Sequence, residues 1–145
     1  MLKKILLPTD GTVSGKVLNY FISHPNINDA DIYVLNVIES NLLKSLPQRG
    51  VRKSLMEHLC EERKEVIKKF IKKLEEEGII GEGLNFEVIV KKGTPSDVIL
   101  KTADELGVDH IIMAKSDKNP IEKAIMGSTT EKVVHGAKIP VIVIS

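Results

Sequence analysis

Five short apolar runs divide this chain, and the stretches between them carry the spacing of helices. The runs are Ile5 to Leu7, Ile32 to Ile38, Phe86 to Val90, Ile111 to Ala114 and Val141 to Ile144. Pro8-Thr9-Asp10-Gly11 ends the first run in a turn, and β-branched residues dominate the second. The order is βαβαβαβαβ, with connections long enough for helical crossovers. Alternation of this kind predicts an α/β fold: a doubly wound, five-stranded parallel sheet with helices on both faces. Phe86, Val88 and Val90 alternate with Glu87 and Lys91, the pattern of a strand with one wet face.

The helices follow from periodicity and caps. Val13, Val17, Tyr20 and Phe21 recur at helical spacing, ahead of a stop at His24-Pro25. The longest helix spans Val51 to Glu77, with an apolar stripe of Leu55, Leu59, Val66, Phe70, Ile71 and Leu74 and a cap at Gly78. Thr94 as N-cap, Pro95 at the first position and Asp97 at N3 open another, which Gly107 closes after Leu106. Ser128 and Glu131 form a capping-box signature before Val133 and Val134. The segment 39–50 is the one long loop.

At 145 residues the chain is the size of one domain, and a core can form without disulfides or metals. The net charge of +1, with no charged tail, removes the main electrostatic argument for nucleic acid or an anionic membrane as partner. Aromatics are 3 % with no Trp, which disfavours a base-stacking platform. Cys60 is the single cysteine, so no disulfide within the chain and no cysteine-based zinc site can form. A reducing, cytoplasmic setting suits such a chain. The opening apolar run stops at Pro8 and Asp10, too short for a secretory signal, and no stretch matches a membrane span.

Several chemical motifs fail on inspection. Gly11 to Val17 imitates a phosphate-binding P-loop, but the glycine spacing is short and Val17 stands where Ser or Thr would hold magnesium. His24, His58, His110 and His135 share no metal-ligand spacing. No nucleophile elbow occurs. Lys68, Lys69, Lys72 and Lys73 are flanked by Glu65 and by Glu75 to Glu77 and read as a solvated face with pairs such as Glu65–Lys69. Two loops remain. In a doubly wound sheet ligands bind beyond the carboxyl ends of the strands, where the winding reverses. With the first and fourth strands adjacent there, Asp10 and the stretch from Lys115 to Ser128 face one crevice. Asp10 reads either as a helix cap or as an acceptor for ribose hydroxyls. Gly127, Ser128 and Thr129 read either as a capped helix start or as a phosphate cradle.

At these loops the chain resembles the universal stress protein family over nearly its whole length. Pro8-Thr9-Asp10-Gly11, Gly93-Thr94-Pro95, Gly127-Ser128-Thr129-Thr130-Glu131-Lys132-Val133-Val134-His135 and Pro140-Val141-Ile142-Val143-Ile144 carry the resemblance. It implies strand order 3-2-1-4-5 and an adenine-nucleotide (ATP) site drawn from Thr9, Asp10, Val37, Met113, Ala114, Gly127, Ser128 and Thr129. Asp10 would hold ribose or adenine, Val37 would meet adenine through its backbone, and Gly127 to Thr129 would hold phosphates. Nucleotide-binding members carry G-x2-G-x9-G-[ST]. Here Gly127 and Ser128 keep the last two places, while Ala114 and Asp117 replace the first two glycines. The family also contains members that lack this complete loop and do not bind ATP. A carboxylate about 5 Å from a phosphate, at an effective dielectric near 20, costs on the order of 3 kcal/mol per pair of charges. Lys115 and Lys118 can offset it.

The expectation is therefore a stress-associated regulatory or binding module with a degenerate adenine-nucleotide site and no committed catalysis. The alternatives are an ATP-binding protein with slow hydrolysis, for which Asp10 or Asp117 would serve, and a scaffold acting through protein contacts. Val141 to Ile144, apolar at four successive positions on a sheet edge, predicts a homodimer paired through that strand.

Overall fold

The computed structural model describes residues 4–9, 17, 20, 29–39, 49–78, 84–114 and 127–144. The elements are β1 (Lys4–Thr9), β2 (Asp31–Glu39), α1 (Arg49–Glu76), β3 (Asn85–Gly93), α2 (Pro95–Leu106), β4 (His110–Ala114), α3 (Ser128–Gly136) and β5 (Val141–Ile144). All neighbouring strands are parallel, in the order β3-β2-β1-β4-β5. This is the expected sheet. Val17 and Tyr20 are helical, as their spacing predicts, whereas Val13, Phe21 and the segment 40–48 lie outside the described residues.

Strand alternation sorts the apolar side chains into two cores, which is why these runs are hydrophobic almost without interruption. Ile5, Leu7, Ile32, Val34, Val88 and Ile112 face Val17 and the α1 residues Ile67, Ile71 and Leu74. Leu6, Leu35, Ile111 and Met113 face Ile99 and Ala103 of α2 and Val133 of α3. At the start of β1, Asp109 ties the strand to β4. Its Oδ2 accepts from the Lys4 backbone N–H at 2.9 Å, and its own N–H donates to the Lys4 carbonyl at 2.8 Å.

The α1 stripe matches the sequence expectation at Ile71 and Leu74, with Phe70 packed beside them, and differs elsewhere. Met56, Ile67, Ile71 and Leu74 are buried, while Leu55 is 37 % and Val66 55 % exposed. Met56 and Ile67 lie one position beyond Leu55 and Val66, and the sheet selects them, with half-buried Cys60 and Arg63 along the same face. Lys68, Lys69, Lys72 and Lys73 are exposed as expected, but Glu65 and Lys69 form no ion pair with each other. The outer side of β3 is drier than its alternation suggests. Ile89 packs toward α2, and Lys91 lays its stem there with Nζ 3.2 Å from Thr102 Oγ1 and 3.2 Å from Glu105 Oε2.

Helix ends follow their glycines. Gly78 is left-handed at φ 72°, and its N–H donates to the Glu75 carbonyl at 3.1 Å. Gly107, at φ 63°, closes α2 in a Schellman arrangement. Its N–H reaches Asp104 O at 3.3 Å and the Val108 N–H reaches Ala103 O at 3.3 Å, with Val108 buried beneath. Thr94 holds the N-cap position before Pro95, yet its hydroxyl makes no capping bond. The backbone alone closes that turn, through the Val98 N–H to the Thr94 carbonyl at 3.0 Å.

Candidate functional site

The winding reverses beside β1: the chain passes from β1 outward to β2 and β3, then returns to β4 on the other side. A ligand crevice belongs at the carboxyl ends of β1 and β4. The pairing there is uneven. β1 matches β2 along its whole length to Thr9↔Asn36, but it meets β4 only at Ile5↔His110 and Leu6↔Ile111. Beyond Leu6 the β1–β4 ladder stops, and Pro8 has no N–H to extend it. β4 continues alone with β5, through Met113↔Val143 and Ala114↔Ile144.

The expected site residues gather at this edge. Thr9 ends β1 and Ala114 ends β4, with Ala114 packing toward the α1 core. Met113, buried, and Val37, half-buried, lie on the other face with α2 and α3. Because α3 connects two parallel strands, it runs back against them, and its N-terminus returns to the carboxyl edge. Asp10, Lys115, Asp117 and Lys118 lie outside the described residues.

At the start of α3 the structure corrects the capping-box expectation. The N-cap is Gly127, at φ −59° and ψ 154°, and Ser128 is the first helical residue. Ser128 is one position too far along to cap, and Glu131 does not reach back. The Glu131 N–H makes the first helical bond, to the Gly127 carbonyl at 2.9 Å, and its Oε1 lies 3.9 Å from His135 Nε2. A glycine cap offers no side-chain acceptor, so the first-turn N–H groups of Ser128, Thr129 and Thr130 are left to other partners. The backbone angle does not demand glycine at 127, and neither does packing among the described residues. A Cβ built there meets nothing within 4 Å.

One residue of this edge is absent from the sequence expectation. Asn36 is 1 % exposed, in the middle of the apolar β2 run. Its Nδ2 donates to the Thr9 carbonyl at 2.9 Å, and its Oδ1 accepts from Arg63 Nη1 at 3.1 Å. The signal available was a lone polar residue between Leu35 and Val37. Cys60, one turn before Arg63, is half-buried. Burial pushes its thiol up, Glu61 adds to the rise, and Lys92 and Arg63 oppose it. Cys60 therefore carries less thiolate at neutral pH than an ordinary cysteine.

Among the described residues no three His, Cys, Asp or Glu side chains gather as a metal site. No described helix is long and apolar enough to cross a membrane. A cleft of about 200 Å³ lies at the opposite edge of the sheet, between the ends of α2 and α3, lined by Leu100, Ala103, Val108, Ile111, Ala137 and Ile139. It shares no residue with the crevice.

A parallel sheet in the order β3-β2-β1-β4-β5 with helices on both faces defines a doubly wound α/β protein. The sequence profile of the universal stress protein family matches residues 1–145, and the chain belongs to that family. It is 32 % identical over 143 residues to universal stress protein MJ0531 of Methanocaldococcus jannaschii, covering 98 % of this chain and 81 % of the relative. The solved structure of MJ0577, from the same organism, superposes with a TM-score of 0.78 at 31 % identity, covering 99 % of this chain and 96 % of that one. Two more distant structures share the fold. A universal stress protein in complex with cAMP is 16 % identical (TM-score 0.55; 99 % of this chain, 96 % of that one). One from Archaeoglobus fulgidus in complex with dAMP is 18 % identical (TM-score 0.56; 100 % of each chain).

Proposed function

We propose that the chain is a cytoplasmic, single-domain, stress-associated binding module whose carboxyl-edge crevice takes an adenine nucleoside or monophosphate in preference to ATP. The observation that carries this reading is the open start of α3. Gly127 caps the helix without a side chain, and among the described residues neither its backbone angle nor packing requires glycine there. Such a terminus presents N–H donors and the positive end of the helix dipole to a phosphate. Val37 and Met113 lie on the sheet face that α2 and α3 cover, and two proteins of the same fold are solved in complex with cAMP and dAMP. In this reading Asp10 accepts from ribose.

The site is degenerate in its other half. Ala114 restricts a backbone that glycine would free, and in this reading Asp117 would add a carboxylate near the outer phosphates. A penalty of about 3 kcal/mol corresponds to roughly two orders of magnitude in affinity. Calorimetry on the full chain is expected to give tighter binding for AMP than for ATP. Asp117→Gly should strengthen ATP binding by about tenfold or more and AMP binding less. Asp10→Ala should weaken both. ATP binding in the micromolar range by the unaltered chain, unchanged in Asp117→Gly, would contradict the degenerate reading.

The partner in this reading is a second copy. β5 is an edge strand, and all four of its residues are half-buried, apolar and without charge. Pairing with another β5 satisfies the edge backbone and covers those side chains. Light scattering at micromolar concentration should give a dimer, and Val143→Lys should shift it to monomer. A monomer in the unaltered chain would refute this.

A further inference from the structure

Asn36 and Arg63 form a hydrogen-bonded link from α1 to the end of β1. A guanidinium has only donors, so Arg63 fixes which end of the Asn36 amide faces it. The amino end is thereby held against the Thr9 carbonyl at 2.9 Å. Thr9 is the last residue of β1 and the register partner of Asn36, so the side chain braces the strand where the backbone ladder ends. That carbonyl belongs to the peptide leading into Asp10. Arg63 makes no other hydrogen bond and no ion pair among the described residues, despite the many acids along α1. Among the described residues its charge is directed to a neutral buried amide rather than to a carboxylate.

The brace approaches from the α1 face, whereas Val37 and Met113 lie on the face of α2 and α3. Asn36 and Arg63 are thus placed to act on the crevice from behind, without touching what binds there. We propose that Asn36 and Arg63 are positioning residues of the carboxyl-edge site, fixing the exit of β1 through the Thr9 carbonyl. The consequence for ligand affinity rests on the adenine-nucleotide reading, while the brace itself does not. By the reciprocity of coupled equilibria, a ligand that needs β1 in this arrangement also steadies α1 around Arg63.

Two readouts on the full chain test this: the ¹³C resonance of the Thr9 carbonyl without ligand, and AMP affinity by calorimetry. Arg63→Met keeps the apolar stem and removes the donors. It should move the Thr9 resonance and weaken AMP binding by about three- to thirtyfold, the range for residues that act without contacting ligand. Arg63→Lys should recover most of both. Ile67→Ala, one turn further along α1 and far more damaging to the core, should leave both readouts in place. An unmoved Thr9 resonance in Arg63→Met overturns the proposal, as does equal loss of affinity in Ile67→Ala. If the unaltered chain does not bind AMP, the nucleotide reading fails, and the Thr9 resonance alone decides the brace.

Discussion

Gly93→Ala is expected to lower the thermal midpoint by about 10 °C, the effect of roughly 3–5 kcal/mol on a domain of this size. Two causes act together. Gly93 ends β3 at φ 147°, a backbone conformation that L side chains rarely adopt. A Cβ there would also stand 2.6 Å from Val98 Cγ2. Val98 is β-branched and helical, so its rotamer is nearly fixed, and it packs against the α2–α3 core. Neither the strand end nor the valine can give way alone. Gly107→Ala separates the two causes, because Gly107 is left-handed at φ 63° but has open space where a Cβ would stand. It should lose only the backbone share, on the order of 1–2 kcal/mol. Thermal unfolding of both variants checks the account, and equal losses would contradict the role assigned to Val98.

The second large effect contrasts two neighbours on α1. Ile67 has no exposed surface and touches the core built on β1 and β2, so Ile67→Ala should destabilise by about 2–5 kcal/mol. Val66 is 55 % exposed, and Val66→Ala should change stability by less than about 0.5 kcal/mol. Alanine's better helix propensity pulls slightly the other way at both sites. Denaturant unfolding distinguishes them. A comparable loss in Val66→Ala would mean that α1 presents a different face to the sheet.

That contrast also marks what could be read from the sequence. The β4 and β5 runs, Ile111 to Ala114 and Val141 to Ile144, declared themselves because buried parallel strands are apolar on both faces. The α1 stripe was legible only in part: Ile71 and Leu74 were placed correctly, but Leu55 and Val66 satisfy a helical repeat as well as Met56 and Ile67 do. Only contact with the sheet chooses between them. Ser128 with Glu131 imitated a capping box for a related reason. The motif describes spacing, and the helix began one residue earlier, on Gly127. Thr94 was placed correctly as an N-cap, yet the turn closed through its backbone.

The site was legible in outline, since the reversal point follows from strand order, and Thr9, Ala114, Val37, Met113 and the start of α3 lie at the edge where it falls. Asn36 was visible only as a polar letter in an apolar run. Its partner Arg63 lies 27 positions away on another element, a distance that no local pattern spans. In the proposed reading the sequence also separates two halves of a phosphate loop, kept at Gly127-Ser128-Thr129 and altered at Ala114 and Asp117.

The central claim is that an adenine nucleoside or monophosphate binds at the carboxyl edge, against the open N-terminus of α3. An amide-resolved NMR titration of the full chain with AMP tests it most directly. The account predicts saturable shifts at Gly127, Ser128, Thr129 and Val37, with none at the cleft on the opposite edge. Shifts confined to that cleft, at Leu100, Ala103 and Ala137, or no shifts at millimolar AMP, would contradict it.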